Sequence, residues 1–327
     1  MLKRLHIYFK EMYPIIPRLL LGYLVFAEIY FIVLLNHGAT VQLQDGLSVL
    51  FSFENYIDGN LVCMTQRIPL GIEELVCGFT VFSFLCWLRI ADDFKDYELD
   101  CRLFPSRPLP SGRVTKKDLK IFVSILIAVT LLLNLIFMPN FLFCVILYTY
   151  GSLMAVWFFQ KHKIQNSLPK ALVTHNPVQM IMNIYIISFV IIKFKPFIPV
   201  IDLYNVMAVF TLYFPAFIWE ISRKLRAPED ETEYVTYSKL FGVKKPTTMI
   251  EIVTIVDIIT NMILVWNLNR YAVIALGLNT LWMTIKFEQF KKDPKRFKIV
   301  DKVEIYTYIQ ESLMILTIVL YLIIGKL

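Results

Sequence analysis

Nine apolar stretches, each close to twenty residues long, recur along the 327-residue chain. A helix needs about 20 consecutive apolar residues to cross the roughly 30 Å hydrocarbon core of a bilayer. The sequence therefore predicts an all-α integral membrane protein, a bundle of nine transmembrane helices in which the eighth is the shortest. The stretches are Ile15–Asn36, Gly71–Ala91, Leu119–Met138, Asn140–Phe159, Ala171–Ile192, Val200–Glu220, Thr247–Trp266, Tyr271–Phe287 and Val303–Ile324.

The composition agrees with a membrane protein and excludes other classes. Hydrophobic residues make up 57% of the chain and charged residues 18%, against about 45–50% and about 25% in soluble domains. Disordered chains lack this much apolar surface to bury. Five cysteines are too few for a disulfide-stapled secreted domain. The first stretch is too long for a signal-peptide core and lacks a small-residue cleavage site, so we expect it to be retained.

The basic residues predict how the chain is oriented. With the amino terminus inside and nine spans, 28 of the 33 Lys and Arg lie on the inner side and 5 on the outer side. Such an excess follows the positive-inside rule and places the carboxyl terminus outside. The net charge of +7 thus follows topology instead of forming one patch, so we expect no nucleic-acid partner. A multi-pass protein of the cell (inner) membrane is predicted.

The connections between the spans differ in character. The outer segment at residues 37–70 is predicted to be a long extracytoplasmic loop, with a stretch at 47–53 that suits the membrane interface. Two inner loops, Arg89–Lys120 and Glu220–Lys245, carry most of the polar side chains. Chemistry is therefore expected at the cytoplasmic face of a single membrane domain that covers residues 1–327.

Four aspartates cluster at the inner end of the second span. Asp92, Asp96 and Asp100 are spaced by four, so a continuing helix places them along one stripe, with Asp93 beside it. Carboxylates this close repel one another unless a cation holds them together. Oxygen ligands without His or Cys favour Mg²⁺, which binds one or two carboxylates together with phosphate oxygens. A phosphorylated substrate is the functional interpretation, and a solvated helix end with ordinary surface acids is the alternative.

The segment Phe104–Val114, which follows the aspartates, contains three Pro and one Gly and cannot be helical throughout. Its two arginines suit bidentate contacts to phosphate. Thr115 and Asp118 predict a cap for the third span.

These two segments together resemble the UbiA-type intramembrane prenyltransferase superfamily. The run D-D-x-x-D-x-x-x-D followed by R-P-L-P-S-G is similar to the family's first aspartate motif and the loop after it. Asp93, Asp96 and Asp100 match the motif, while Asp92 and Ser106 stand where the family usually has Asn. The resemblance begins near Gly71 and is strongest over residues 71–245. It implies a helical bundle in which Asp92, Asp93, Asp96 and Asp100 hold Mg²⁺ for an isoprenyl diphosphate.

The second motif of the family, D-x-x-x-D at the end of the sixth span, corresponds here to Glu220 and Lys224. Glu220 can ligate a metal, whereas a protonated Lys224 cannot. In the favoured account, Lys224 and Arg223 bind the diphosphate directly. In a second account, an acidic residue at positions 229–231 (Glu229, Asp230 or Glu231) restores the missing carboxylate. An ordinary salt-bridged surface loop is the third possibility.

Three further residues are weaker candidates. Lys161 fits a diphosphate-contacting lysine of the family, although it also suits a plain helix end, and His162 replaces the family's arginine. His175 precedes Pro177 in the fifth span, where a kink is expected. Three roles are open for His175: contact with the acceptor, action as a base, or packing. Tyr237 lies in a stretch expected to shape its loop.

The resemblance implies a Mg²⁺-dependent transfer of an isoprenyl group to an aromatic or lipid acceptor, with release of pyrophosphate. The expected catalytic residues are Asp96, Lys224 and His175, and the expected substrate-binding residues are Arg107, Lys161, Arg223 and Lys224. Asp92, Asp93, Asp96, Asp100 and Glu220 are the expected metal ligands. The alternatives are a UbiA-type terpene cyclase that needs no acceptor, and a non-catalytic membrane protein or transporter.

Overall fold

The structure, a computed structural model, describes residues 1–44, 48–57, 60–68, 71–195, 197–231 and 235–324. For residues 40–68 it describes only the strands and their pairing. The chain divides into two compact units. The first comprises Met1–Ala27 and Leu70–Phe159, and the second comprises Glu28–Pro69 and Gln160–Leu327.

Helices account for most of the described residues. The first six are α1 (Leu2–Glu11), α2 (Ile15–Asn36), α3 (Ile72–Lys95), α4 (Tyr97–Leu103), α5 (Lys116–Phe137) and α6 (Phe141–Ala155). The others are α7 (Lys161–Gln165), α8 (Leu168–His175), α9 (Val178–Lys193), α10 (Leu203–Phe210), α11 (Tyr213–Ser222), α12 (Tyr237–Phe241), α13 (Lys244–Val265), α14 (Arg270–Lys292) and α15 (Ile299–Ile324).

Seven helical segments among the described residues are long and apolar enough to cross a membrane, with α8–α9 and α10–α11 each counted as one. The integral membrane class is therefore confirmed. The predicted number of nine spans is not reached, because α6 has only 15 residues and α14 ends in a charged stretch from Lys286 to Lys292. Helices nevertheless occupy both of those predicted positions. The orientation of the spans stays a prediction.

The segment between α2 and α3 contains more structure than the predicted loop. Strands β1 (Thr40–Gln44), β2 (Ser48–Ile57) and β3 (Asn60–Ile68) form an antiparallel sheet in the order β1-β2-β3. Leu47, at the start of the stretch suggested for the interface, lies outside the described residues. The rest of that stretch is in β2. The alternation of Val41 and Leu43 with glutamines is the period-2 signal of a strand. The predicted loop is therefore a small sheet over most of its length.

Two of the predicted spans are broken helices. The fifth is interrupted at Asn176–Pro177, as the proline predicts. The sixth is interrupted after α10, where Leu212 has a φ of 63°. Pro215 explains this second break, since its ring excludes a regular helix through the carbonyl four residues earlier.

An asparagine compensates the break in the sixth span. The buried Asn183 of α9 donates through Nδ2 to the carbonyl oxygens of Val209, at 2.9 Å, and Thr211, at 2.5 Å. An apolar membrane offers no water to satisfy such carbonyls, so a broken span needs a polar neighbour. Asn183 therefore helps to stabilise the break between α10 and α11.

Each unit has an apolar core that positions one of the two predicted clusters. In the first unit, Leu5, Tyr8 and Phe9 of α1 pack with Ile90 of α3 and Leu109 of the following loop. In the second unit, the core joins the end of α11 to α13, α14 and α15. Its members include Ile218, Ile221, Ile250, Phe287 and Tyr306.

The chain leaves α6 through an unusual turn. Trp157, Phe158 and Phe159 all have left-handed backbones, with φ of 55°, 50° and 59°. Each such residue costs roughly 1–2 kcal/mol, because its Cβ crowds the following carbonyl. The turn brings the ring of Trp157 to 5.0 Å from the Lys95 ammonium at the end of α3.

Candidate active site

The aspartate stripe keeps its helical register although α3 and α4 are separate helices. At the junction, the Asp96 N–H donates to the Asp92 carbonyl at 2.9 Å, and the Asp100 N–H donates to the Asp96 carbonyl at 2.8 Å. These are helix-type bonds between residues four apart. The predicted spacing of Asp92, Asp96 and Asp100 along one side therefore survives the junction.

Two of the four aspartates are buried and held by arginines. Asp93 is 5% exposed and pairs with Arg89 at 2.8 Å. Asp100 is 8% exposed, and both of its oxygens accept from Nη1 of Arg107, at 2.9 and 2.8 Å. Each buried carboxylate thus has its own cation, as buried charges require.

The other two aspartates are accessible. The side chain of Asp92 is half-exposed, with the Lys95 ammonium 3.5 Å away, and Asp96 is exposed at the junction of the two helices. The four carboxylates therefore fall into a buried, arginine-bound pair and an accessible pair spaced by four residues. The sequence did not predict this division.

The loop after the motif is closed by its own backbone. The Ser111 N–H donates to the Arg107 carbonyl at 2.9 Å, and the Val114 N–H donates to the Pro108 carbonyl at 3.0 Å. Gly112 has a φ of 75°, which a residue with a Cβ rarely adopts. This closure fixes Arg107 beside Asp100, and the guanidinium retains further N–H donors for an anion. The predicted capping box of Thr115 and Asp118 is present at the start of α5.

Helix α1 contributes contacts that the sequence analysis missed. The Tyr8 hydroxyl donates to Oδ2 of Asp93 at 2.5 Å, and Arg4 pairs with Asp118 at 2.6 Å. Glu11 pairs with Arg113 of the loop at 2.5 Å. Burial, together with the neighbouring carboxylate, raises the pKa of Tyr8 well above its ordinary value, so this hydroxyl keeps its proton. The i, i+3, i+4 spacing of Leu5, Tyr8 and Phe9 was the available signal.

The second cluster is a compact ion triad at the end of α11. Oε2 of Glu220 accepts from Nε of Arg223 at 2.6 Å, and Oε1 accepts from the Lys224 ammonium at 2.7 Å. Both oxygens of Glu220 are therefore engaged by cations of its own chain segment. Two cations and one carboxylate leave the triad with a net charge of +1.

Two of the three acidic residues of the second account, Glu229 and Glu231, are engaged elsewhere. Glu229 pairs with Lys295 at 2.7 Å, and the hydrogen bond from Lys295 lowers the pKa of this carboxyl. Glu231 accepts from the hydroxyls of Thr236 and Ser238. The choice between the two accounts stays a prediction.

The weaker candidates have simpler surroundings. Lys161 is exposed at the start of α7. His175 is half-buried at the end of α8, with Nδ1 3.0 Å from the Thr174 hydroxyl. The Tyr237 hydroxyl donates to the Leu168 carbonyl at 3.2 Å, and burial raises the pKa of Tyr237 to about 12, as expected of a packing residue. The roles of Lys161 and His175 stay predictions.

The accessible aspartates fit a magnesium ion by their chemistry. Within the described residues, no three His, Cys, Asp or Glu side chains converge into a group that could hold a metal. Mg²⁺ does not require such a group, since it binds one or two carboxylates and completes its shell with phosphate oxygens and water. Asp92, which is half-exposed, and Asp96, which is exposed, are spaced by four and supply this kind of donor set.

We predict that Tyr8→Phe destabilises the first unit. The variant leaves the buried Asp93 oxygen without its hydroxyl donor, which costs about 1–3 kcal/mol. Thermal unfolding of the purified protein in detergent should show a lower midpoint than the wild type. The matched control is Tyr13→Phe, which removes a hydroxyl from the same apolar cluster but no bond to a motif carboxylate. Equal midpoints for the two variants would contradict the prediction.

Comparison with known proteins identifies the family of the chain. The sequence matches the UbiA prenyltransferase family over residues 64–299, which is more than half of the chain. It is also similar to digeranylgeranylglyceryl phosphate synthase of Methanocaldococcus jannaschii, with 34% identity over 79 residues. That alignment covers 24% of this chain and spans only 28% of the length of the relative.

The fold has a counterpart among solved structures. A structure from a study of the biosynthesis of digeranylgeranylglyceryl phosphate synthase in membranes superposes with a TM-score of 0.63 at 15% identity. The match covers 98% of this chain and 99% of the other. At this identity the likeness concerns the fold, while the family match concerns the sequence itself. The chain belongs to the UbiA prenyltransferase family, a family of transferases, and is an integral membrane protein.

Proposed function

We propose that this protein transfers an isoprenyl group from an isoprenyl diphosphate to an acceptor in a Mg²⁺-dependent reaction. The observation that carries the proposal is the division of the first motif into a buried pair, Asp93 and Asp100, and an accessible pair, Asp92 and Asp96. An ordinary solvated surface does not require two carboxylates to be buried against arginines beside two accessible ones. A metal–diphosphate site requires such an arrangement, because its ligands must be held in position.

In this proposal the buried pair orients the accessible pair. Asp93, bound by Arg89 and Tyr8, and Asp100, bound by Arg107, fix the α3–α4 junction that carries Asp92 and Asp96. Asp92 and Asp96 would hold Mg²⁺. When bound, the ion supplies positive charge that neutralises the diphosphate and favours its departure.

Transfer requires the carbon–oxygen bond of the isoprenyl diphosphate to break, with both electrons leaving on pyrophosphate. In this proposal, Arg107 and Lys161 bind the diphosphate, and Arg223 and Lys224 stabilise the developing negative charge. The acceptor nucleophile then bonds to the allylic carbon and loses its proton, for which His175 is the proposed base. Glu220, bound to both cations of its triad, positions Arg223 and Lys224 instead of ligating a metal.

A phosphate-bearing lipid is the acceptor class that we propose among those open to the family. The similar proteins are named for a glyceryl phosphate product. The second unit also contains a cavity of about 620 Å³, a volume typical of small-ligand sites. Arg223, Arg226, Lys295, Lys298 and Asp230 line it, so cations outnumber the carboxylate. Such a wall suits a phosphate group.

We predict that Asp96→Ala abolishes Mg²⁺-dependent release of pyrophosphate, with a loss of at least about 100-fold. The measurement uses purified protein in detergent with isoprenyl diphosphates of several chain lengths. Glu98→Ala, which removes an exposed carboxylate two residues away, should keep the wild-type rate. Undiminished release by the Asp96 variant would disprove the metal role, and no release by the wild type at any chain length would favour a non-catalytic protein.

The two accounts of the second motif differ in which substitution should lower the release of pyrophosphate. Lys224→Met should lower pyrophosphate release about 10- to 100-fold, because a cation at the departing diphosphate is lost, whereas Lys224→Arg should keep most of the rate. Lys244→Met, a change of an exposed lysine in the same inner region, is the control. A silent Lys224→Met combined with a large loss in Glu231→Gln would support the acidic account instead.

The acceptor proposal predicts a selective effect on one substrate. Arg226→Ala and Lys298→Ala should raise the KM for a prenylglyceryl phosphate acceptor about tenfold and leave the KM for the isoprenyl diphosphate unchanged. Lys292→Ala, at the end of α14 and not in the cavity wall, should change neither. An equal rise for both substrates would contradict the assignment, and consumption of diphosphate without any acceptor would indicate the terpene cyclase.

A further inference from the structure

The first motif contains a lysine to which the prenyl-transfer proposal gives no role. Lys95 is the last residue of α3 and stands between Asp92 and Asp96 in the sequence. Its side chain is only 7% exposed. Lysine side chains are rarely buried to this extent unless the ammonium group is paired. A carboxylate of the motif and an aromatic ring both lie against the ammonium of Lys95.

The contact with the carboxylate is longer than a hydrogen-bonded ion pair. The Lys95 ammonium lies 3.5 Å from Oδ1 of Asp92, whereas charge-assisted hydrogen bonds between nitrogen and oxygen are about 2.7–2.9 Å long. The ion pairs between the two buried aspartates and their arginines are tighter, each at 2.8 Å. The ammonium therefore offsets the charge of an accessible aspartate without being fixed to it by a short bond.

The aromatic contact comes from the left-handed turn after α6. The ring centroid of Trp157 lies 5.0 Å from the Lys95 ammonium, within the range of a cation–π interaction. Trp157 is the first of the three consecutive residues with positive φ in this turn. Such backbone conformations persist only where the surrounding structure enforces them, and they occur preferentially at functional sites. Lys95 and Trp157 belong to the same compact unit, so their contact joins the turn to the motif.

A diphosphate needs a cation near the accessible aspartates. Asp92 and Asp96 carry negative charge and repel phosphate oxygens, while the two arginines of the motif are bonded to the buried pair. Lys95 lies at the accessible pair, and its flexible four-carbon stem allows the ammonium to turn from a carboxylate to a phosphate oxygen. The ring of Trp157 keeps the positive charge at the site during this change of partner.

We propose that Lys95 binds the diphosphate of the isoprenyl substrate and that Trp157 positions Lys95 for this contact. The inference rests on the proposed function, because it requires a diphosphate at the first motif. It adds a cation beside the accessible aspartates and gives the turn after α6 a role in substrate binding. Trp157 acts through Lys95 and is a positioning residue.

The test measures the binding of inorganic pyrophosphate to the full-length protein in detergent at a fixed Mg²⁺ concentration, by isothermal titration calorimetry. Lys95→Met should weaken the affinity about tenfold, because a charge-assisted hydrogen bond is lost. Lys95→Arg keeps the charge and the contact with the ring, so its affinity should stay within about twofold of the wild type. Lys193→Met is the matched control, because Lys193 also ends an apolar helix and lies 5.4 Å from a ring, that of Phe189. Its affinity should equal that of the wild type.

The ring of Trp157 provides a second measurement. Trp157→Leu should weaken pyrophosphate binding about threefold, which corresponds to the loss of one cation–π contact, and Trp157→Phe should restore most of the affinity. Pyrophosphate should also change the tryptophan emission of the wild type, because the ammonium moves relative to the indole. The change should be absent from Trp157→Phe and from Lys95→Met.

The results separate the role of Lys95 from the proposed function. An absence of pyrophosphate binding by the wild type would overturn both. Binding by the wild type together with equal affinities of Lys95→Met and Lys193→Met would overturn the role of Lys95 alone. If Lys95→Met does not fold, equal pyrophosphate-induced changes of emission in the wild type and in Trp157→Phe would overturn it.

Discussion

The structure depends on one constraint, which is that polar groups within a membrane must find partners inside the protein. Regular helices satisfy this constraint because their backbone N–H and C=O groups bond to one another. Apolar stretches of the predicted length therefore form helices. Where a helix breaks after α10, the amide of Asn183 takes over the carbonyls that the break exposes. Where carboxylates are buried at the end of α3, arginines and a tyrosine bind them. The buried aspartates of the first motif thus obey the same requirement for polar partners as the backbone of the spans.

The two predicted clusters solve the problem of charge differently. In the first unit, Arg89 and Arg107 neutralise Asp93 and Asp100 and leave Asp92 and Asp96 accessible, so the accessible surface is acidic. In the second unit, Arg223 and Lys224 share one carboxylate and leave positive charge in excess. Lys224 at a position where the family has aspartate therefore alters the sign of the cluster, not merely one ligand. In the proposed reaction, the acidic cluster would hold the metal ion and the basic cluster would bind the diphosphate.

The sequence predicts those features that depend on local order. Runs of apolar residues predicted the spans, Pro177 predicted a kink, and the spacing of Thr115 and Asp118 predicted a helix cap. The family resemblance came from a short motif whose residues are contiguous. Features that depend on distant partners were missed, because no local pattern records which aspartate meets an arginine or which asparagine reaches a broken helix. Tyr8 carried no prediction, and its bond to a motif residue 85 positions away became visible only in the fold.

The docking of α1 has a consequence for how the protein is made. Its three contacts join residues separated by 85, 102 and 114 positions along the chain. At about 5–20 residues per second, the ribosome needs roughly 6 to 23 s to pass from Arg4 to Asp118. Until then α1 lacks its last partner, and an amphipathic helix of this kind can rest on the membrane surface. Helix α1 is thus synthesised before each of the residues that it contacts, and the acidic site is complete only when the loop and the start of α5 have also been made.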